Sequence, residues 1–169
     1  MKKIGVLSDT HGILPKQVFD FFEQCDEIWH AGDMGGNDLL DQLRTFKPTR
    51  AVYGNMDGYP LRHLVPGTQI FNCEGLKVVM THIGGWPKHY PAEVKALLMR
   101  EKPNIFVCGH SHILRVMYDQ DLDFLMINPG AAGRQGFHKV GTLVRFTIDG
   151  TPKELEVLDF PKFGENTAE

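Results

Sequence analysis

Apolar and polar positions come in short blocks along this chain. KKIGVLSD holds a compact apolar run that ends in Ser8 and Asp9, which predicts a first strand. Pro15 opens a helix carrying Val18, Phe19, Phe21 and Phe22, because proline is tolerated in a first turn. The three phenylalanines are read as core. Glu27 to Ala31 predicts a strand stopped by Gly32, and Asp38 to Phe46 a helix with Leu39, Leu40 and Leu43 on one face. Arg50 to Tyr53 is a short strand ended by Gly54. Thr68 to Asn72 and Leu76 to Thr81 flank Cys73-Glu74-Gly75 and predict a hairpin. Pro91 to Arg100 reads as a helix and Asn104 to Cys108 as a strand. After that only strands remain: Leu114 to Tyr118, Phe124 to Ile127, Thr142 to Ile148 and Glu154 to Leu158. Helices confined to the first two-thirds predict an α/β protein, two sheets packed as a sandwich with helices outside.

Composition narrows the partners. The chain has 169 residues, enough for one domain with a substantial core; residues 1–163 are expected to form it, with 164–169 a frayed tail. With 23% charged residues and a net charge of −3, it lacks the basic footprint that grips duplex nucleic acid, although a local site can still take a small anion. Cys25, Cys73 and Cys108 are odd in number, well separated and contain no C-x-x-C. They argue against a disulfide framework or a thiolate zinc site and fit a reducing cytoplasm. No apolar stretch approaches the roughly 18 residues of a membrane span. The opening MKKIGVLSDTHG reads as a strand and not as a signal peptide.

The residues at the ends of the early strands change the picture. The first strand runs into Asp9-Thr10-His11, the second into Gly32-Asp33, the third into Gly54-Asn55-Met56-Asp57, a later one into Thr81-His82, and another into Gly109-His110-Ser111-His112. Two histidines two apart would share one face of a continuing strand, against a core that prefers Val or Ile. A strand that stops and turns at Gly109 instead lets both rings lean over a common point. In open α/β sheets the carboxyl ends of strands are where loops converge on a ligand. Taken singly, each piece reads equally well as turn chemistry. As an ordered set they bring Asp9, His11, Asp33, Asn55, His82, His110 and His112 towards one place, an expected metal centre.

The order D-x-H, G-D, G-N-x-D, H, G-H-x-H resembles the five signature blocks of the calcineurin-like metallophosphoesterases, over roughly residues 3–130. The stretches HAGD, GNMD and INPGAAG are most similar to the small bacterial and archaeal phosphodiesterase branch; a retromer subunit shares that fold with a degraded metal site. The resemblance implies a four-layer αββα fold and two divalent ions. Asp9, His11, Asp33 and His112 would hold one, and Asp33, Asn55, His82 and His110 the other, with Asp33 bridging. It also implies hydrolysis of a small phosphate ester by a hydroxide shared between the ions, while Asn55, His82 and His110 hold the ions and the developing charge. Oxygen and imidazole donors without thiolate suit manganese first, with nickel, iron, cobalt, zinc or magnesium as alternatives. Two carboxylates against four positive charges leave a centre that attracts an anionic ester. The alternative is a non-catalytic, metal-containing scaffold of the same fold that binds partner proteins; the intact donor set favours the enzyme.

Other residues are secondary. Many family members carry His where this chain has Met56, and Met cannot protonate a leaving group, which favours diesters over alkyl monoesters. Asp57 is read as a loop cap or an acceptor behind the donors, and His30 as a donor behind them or a core histidine satisfied by backbone. His89, in a glycine-rich loop, and Arg134, after Asn128-Pro129-Gly130, are candidates for touching substrate. An oligomer of identical chains stays open. Met56→His is expected to raise turnover of an aryl phosphomonoester relative to the matching diester; an unchanged ratio contradicts this account of the position.

Overall fold

Strands buried along their whole length need cover on both faces, and the inner strands meet that need by sending alternate residues into different cores. In β1 (Lys2–Leu7), Ile4 and Val6 enter one cluster and Leu7 another. In β5 (Leu76–Thr81), Val78 and Met80 oppose Val79; in β6 (Ile105–Val107), Ile105 and Val107 oppose Phe106. This computed structural model describes residues 1–162; Phe163 and the expected tail at 164–169 lie outside the described residues.

The remaining elements are α1 (Lys16–Phe21), β2 (Glu27–His30), α2 (Asn37–Phe46), β3 (Thr49–Ala51), α3 (Leu61–Leu64), β4 (Thr68–Cys73), α4 (Ala92–Glu101), β7 (Leu114–Asp119), β8 (Phe124–Pro129), β9 (Val140–Asp149) and β10 (Thr151–Pro161). Two five-stranded sheets result, ordered β10-β9-β1-β2-β3 and β4-β5-β6-β8-β7. The central cluster, with Trp29, Ile127 and Phe146, lies between them. Val18 and Phe22 beside α1 and Leu39, Leu40 and Leu43 of α2 cover the outer face of the first sheet; Val94 and Leu98 of α4 cover that of the second. The expected four-layer αββα arrangement is the one observed, and all three cysteines are buried free thiols. No helix among the described residues is long and apolar enough to cross a membrane.

Register matters more than layering in placing the site. β1 pairs in parallel with β2 and β2 with β3, setting Leu7 opposite His30 and His30 opposite Ala51. In the second sheet Met80 of β5 lies opposite Val107 of β6. Strand ends therefore stand level, and the segments leaving them start side by side.

Two elements differ from the sequence reading. The stretch 59–66 contains the single turn α3, too short to show a helical period. The hairpin of β9 and β10 is longer than expected, closing through Asp149-Gly150 with Gly150 at φ 74°. A register shift between Lys153 and Glu156 breaks the alternation of β10 and hid its first half.

At the opposite end of β2, buried Glu27 accepts hydrogen bonds from Trp29 Nε1 (2.9 Å), Arg50 Nε (2.7 Å) and Lys2 Nζ (3.2 Å). Burial works to raise its carboxyl, but these donors outweigh it and hold the group below its ordinary 4.5. The stabilisation is thus present above about that pH and is lost as the pH falls through the lowered folded value. Glu27→Gln is expected to cost about 1–3 kcal/mol at neutral pH. The gap in melting temperature from the parent should close on acidification below 4.5; a gap independent of pH contradicts the assignment.

Candidate metal centre

Five of the seven donor positions have left-handed backbone: Asp9 (φ 54°), His11 (47°), Asp33 (56°), His110 (69°) and His112 (62°). Residues with a Cβ enter this region at a cost of about 1–3 kcal/mol each, and such strain clusters at functional sites. Each reversal takes its residue out of strand geometry, so His110 and His112 lean over a common point instead of standing side by side on a strand face.

The two carboxylates divide their oxygens in the same way. Asp9 Oδ2 accepts from Ser8 Oγ (2.6 Å) and the His110 N–H (3.1 Å), and Asp33 Oδ1 accepts from the Met56 N–H (2.9 Å). The other oxygens face imidazoles. Asp9 Oδ1 is 3.2 Å from His112 Nε2, 3.7 Å from His11 Nε2 and 3.8 Å from His82 Nε2. Asp33 Oδ2 is 3.2 Å from His82 Nε2 and 3.9 Å from His11 Nε2. His82 Nδ1 donates to the Ala31 carbonyl (2.7 Å), so in the neutral ring Nε2 carries the lone pair, and it is aimed inward. His110 Nδ1 meets Asn55 Oδ1 at 3.0 Å. The rings pair edge to face, His11 with His112 (5.5 Å) and His82 with His110 (5.3 Å). All seven donors named from sequence come together.

Close as they are, several of these atoms are not hydrogen-bonded. Among the described residues only four buried side-chain polar atoms lack such a partner, and three of them, Asp9 Oδ1, His11 Nε2 and His82 Nε2, point into this centre. An unsatisfied buried polar atom is costly, and lone pairs facing one another are more so. Donor atoms of Asp9, His11 and His112, and of Asp9, Asp33 and His82, lie within 4.8 Å of one another, as a coordinated ion requires. The oxygen and nitrogen donor set fits a divalent ion. Both carboxylates lie between the two ring pairs, so Asp9 reaches His82 as well as the partners expected for it.

Charge is set by this geometry. Burial tends to raise the Asp9 carboxyl, but contacts from His11 and His112, the charge of His82 and the Ser8 hydroxyl outweigh it and hold Asp9 far below the usual range. Asp33 is lowered likewise, against burial, by His82 and the Met56 N–H. His82, opposed by burial, is raised by Asp33 and Asp9, whereas burial and the charge of His82 lower His110. Burial pushes the thiol of Cys108, next to Gly109, up to about 12, and its Sγ donates to the Gly85 carbonyl (3.7 Å).

The support comes from behind the donors. A Cβ on Gly54 would come within 2.1 Å of Asp33 Oδ1, and one on Gly109 within 2.1 Å of Ser8 Oγ, so the glycines of G-N and G-H are there for close approach. Asp57 is buried and clamps two donor loops, accepting from the Gly54 N–H (2.9 Å), the Met34 N–H (3.2 Å) and the Gly35 N–H (3.0 Å). His30 is buried beneath the centre; its Nδ1 accepts from the Gly32 N–H (3.1 Å), and its Nε2 donates to Thr10 Oγ1 (3.0 Å), which donates to the Met34 carbonyl (3.0 Å). Burial brings its pKa down to about 4, so it stays neutral in this chain of bonds. Asn128 ties Gly109 and Ser111 together from β8. His89 stacks on Trp86 (4.9 Å) and hydrogen-bonds none of the seven, and Arg134 is exposed on the loop after β8. Ser8 and Thr10 were missed by sequence reasoning; the available signal was two hydroxyls beside Asp9 at the end of an apolar strand.

Fold and centre together define a class, and comparison with known proteins agrees. The family description "Calcineurin-like phosphoesterase superfamily domain" matches residues 1–151, so the chain belongs to that superfamily. A probable metallophosphoesterase of Methanothermobacter thermautotrophicus is 29% identical over 163 residues, covering 92% of this chain and 91% of the relative. A solved archaeal phosphodiesterase superposes with a TM-score of 0.76 at 22% identity, over 94% of this chain and 99% of that one. Vps29 from Chaetomium thermophilum gives 0.73 at 16% identity, over 96% and 100%. At these identities the two structures share the fold.

Asp57→Ala leaves three loop N–H groups without their acceptor. It is expected to weaken divalent-ion binding about 10–100-fold by calorimetric titration while far-UV circular dichroism stays native. Unchanged affinity contradicts the clamp.

Proposed function

We propose that this protein is a metal-dependent phosphodiesterase using two divalent ions. The observation that carries the reading is the convergence at the strand ends of donor atoms from Asp9, His11, Asp33, His82 and His112, three of them orphaned and buried, with the bonded pair of His110 and Asn55 beside them. Asp9, His11, Asp33 and His112 would hold one ion, and Asp33, Asn55, His82 and His110 the other. Such ions supply Lewis acidity, lowering the pKa of a bound water and attracting the anionic ester.

The chain's own groups set the rest. Ser8 and the His110 N–H turn Asp9 so that Oδ1 faces inward, the Met56 N–H does the same for Asp33 Oδ2, and the Ala31 carbonyl accepts from His82 Nδ1. Asn55 accepts at Oδ1 and keeps its Nδ2 to donate to a phosphoryl oxygen. Met56 is 69% exposed and has no proton to give, and Asp57 is committed to backbone N–H groups and cannot stand in. A leaving group must then depart without an acid from these positions, which supports diesters and esters of good leaving groups over alkyl monoesters. The similarity to a solved archaeal phosphodiesterase supports the same choice. The likeness to Vps29 keeps a scaffold of the same fold as the second reading.

Hydrolysis of bis(4-nitrophenyl) phosphate is expected to disappear on chelation and return with manganese, and to be abolished by Asp33→Ala or His110→Ala. Turnover that survives chelator or either substitution contradicts the mechanism. A metal-loaded protein that cleaves neither diester nor monoester supports the scaffold.

A further inference from the structure

A cavity of about 510 Å³ opens beside the metal centre: Gly54, Asn55 and His82 line one side of it, and the rest of its walls belong to residues that hold no metal donor in place. It lies between α3 and α4, and Thr68 and Thr81 also line it. Glu93, Leu97 and Arg100, spaced i, i+4 and i+7, present one face of α4 to it, and Arg62 of α3 lines the other side.

Arg62 is exposed yet held. Its Nε donates to the Asp57 carbonyl (2.6 Å), and its guanidinium lies over the Tyr53 ring (4.6 Å). Its terminal nitrogens make no hydrogen bond among the described residues. The residue that fixes it is the same Asp57 whose carboxylate clamps the Asp33 and Asn55 loops, so the guanidinium is positioned relative to the centre. A solubilising surface arginine gains nothing from being fixed; one that receives a planar anion does, because the fork loses less freedom on binding. Arg100, weakly held by Glu101 (3.4 Å), adds a second guanidinium. Glu93 is the one carboxylate in the lining, so the walls carry net positive charge. Ile83, Val94 and Leu97 supply apolar surface for the body of the group.

We propose that this cavity is the subsite for one arm of the diester, and that it selects an arm ending in an anionic group, a carboxylate or a phosphate. This rests on the diesterase reading. The test compares three diesters that release the same 4-nitrophenol: 4-nitrophenyl phenyl phosphate and its 4-carboxyphenyl and 4-phosphonophenyl counterparts, all with the manganese-loaded full chain. At least one anionic diester is expected to show kcat/KM about tenfold above the phenyl compound, as one added charge-assisted contact gives. Which one gains more identifies the anion. Arg62→Ala should bring the ratio close to one, and Arg100→Ala should lower it in part. A ratio at or below one in the parent, or a ratio untouched by Arg62→Ala, overturns the subsite while the phenyl diester still turns over. If none of the three is cleaved, the diesterase reading itself fails.

Discussion

Two carboxylates buried side by side govern this structure. Asp9 is fully buried and Asp33 is 3% exposed, and among the described residues neither is paired with lysine or arginine. Buried charge persists only where something compensates it. Here the neighbours are imidazoles, which neutralise carboxylates when protonated and join them as ligands when not. The surrounding chain accepts five left-handed residues and several orphaned atoms to keep this grouping. Strain on that scale in the connections of otherwise regular strands marks a binding centre more than a packing solution.

The four layers make the grouping possible because regular parts position irregular ones. Parallel pairing of β1, β2 and β3 brings Leu7, His30 and Ala51 level, so donors two, three and four residues further on start from one line. Asp57 and the His30–Thr10 pair then lock the loops to each other and not to solvent. The donors are thus fixed from below and behind. On the open side the walls belong to α3 and α4, where Arg62 and Arg100 stand, and substrate choice is set there.

Much of the layering was legible because IGVL, VVM and IFV are apolar at consecutive positions, and such strands need cover on both faces. The seven donors were legible as an ordered set at strand ends; singly, each imitates a turn. Left-handed backbone at Asp9 or His112 leaves no sequence trace, since only glycine advertises it. The bracing by His30 and Thr10 joins residues 20 apart and needs coordinates to see. α3 is one turn and shows no period, and the irregular step near Glu154 disguised half of β10. Arg62 carried no signal, because its meaning lies in what holds it.

Convergence of these side chains on a pair of cations can be read from anomalous scattering by crystals soaked in manganese. Two peaks are predicted, one among Asp9, His11, Asp33 and His112 and the other among Asp33, Asn55, His82 and His110. A single peak, none, or manganese bound only elsewhere would contradict the two-ion centre.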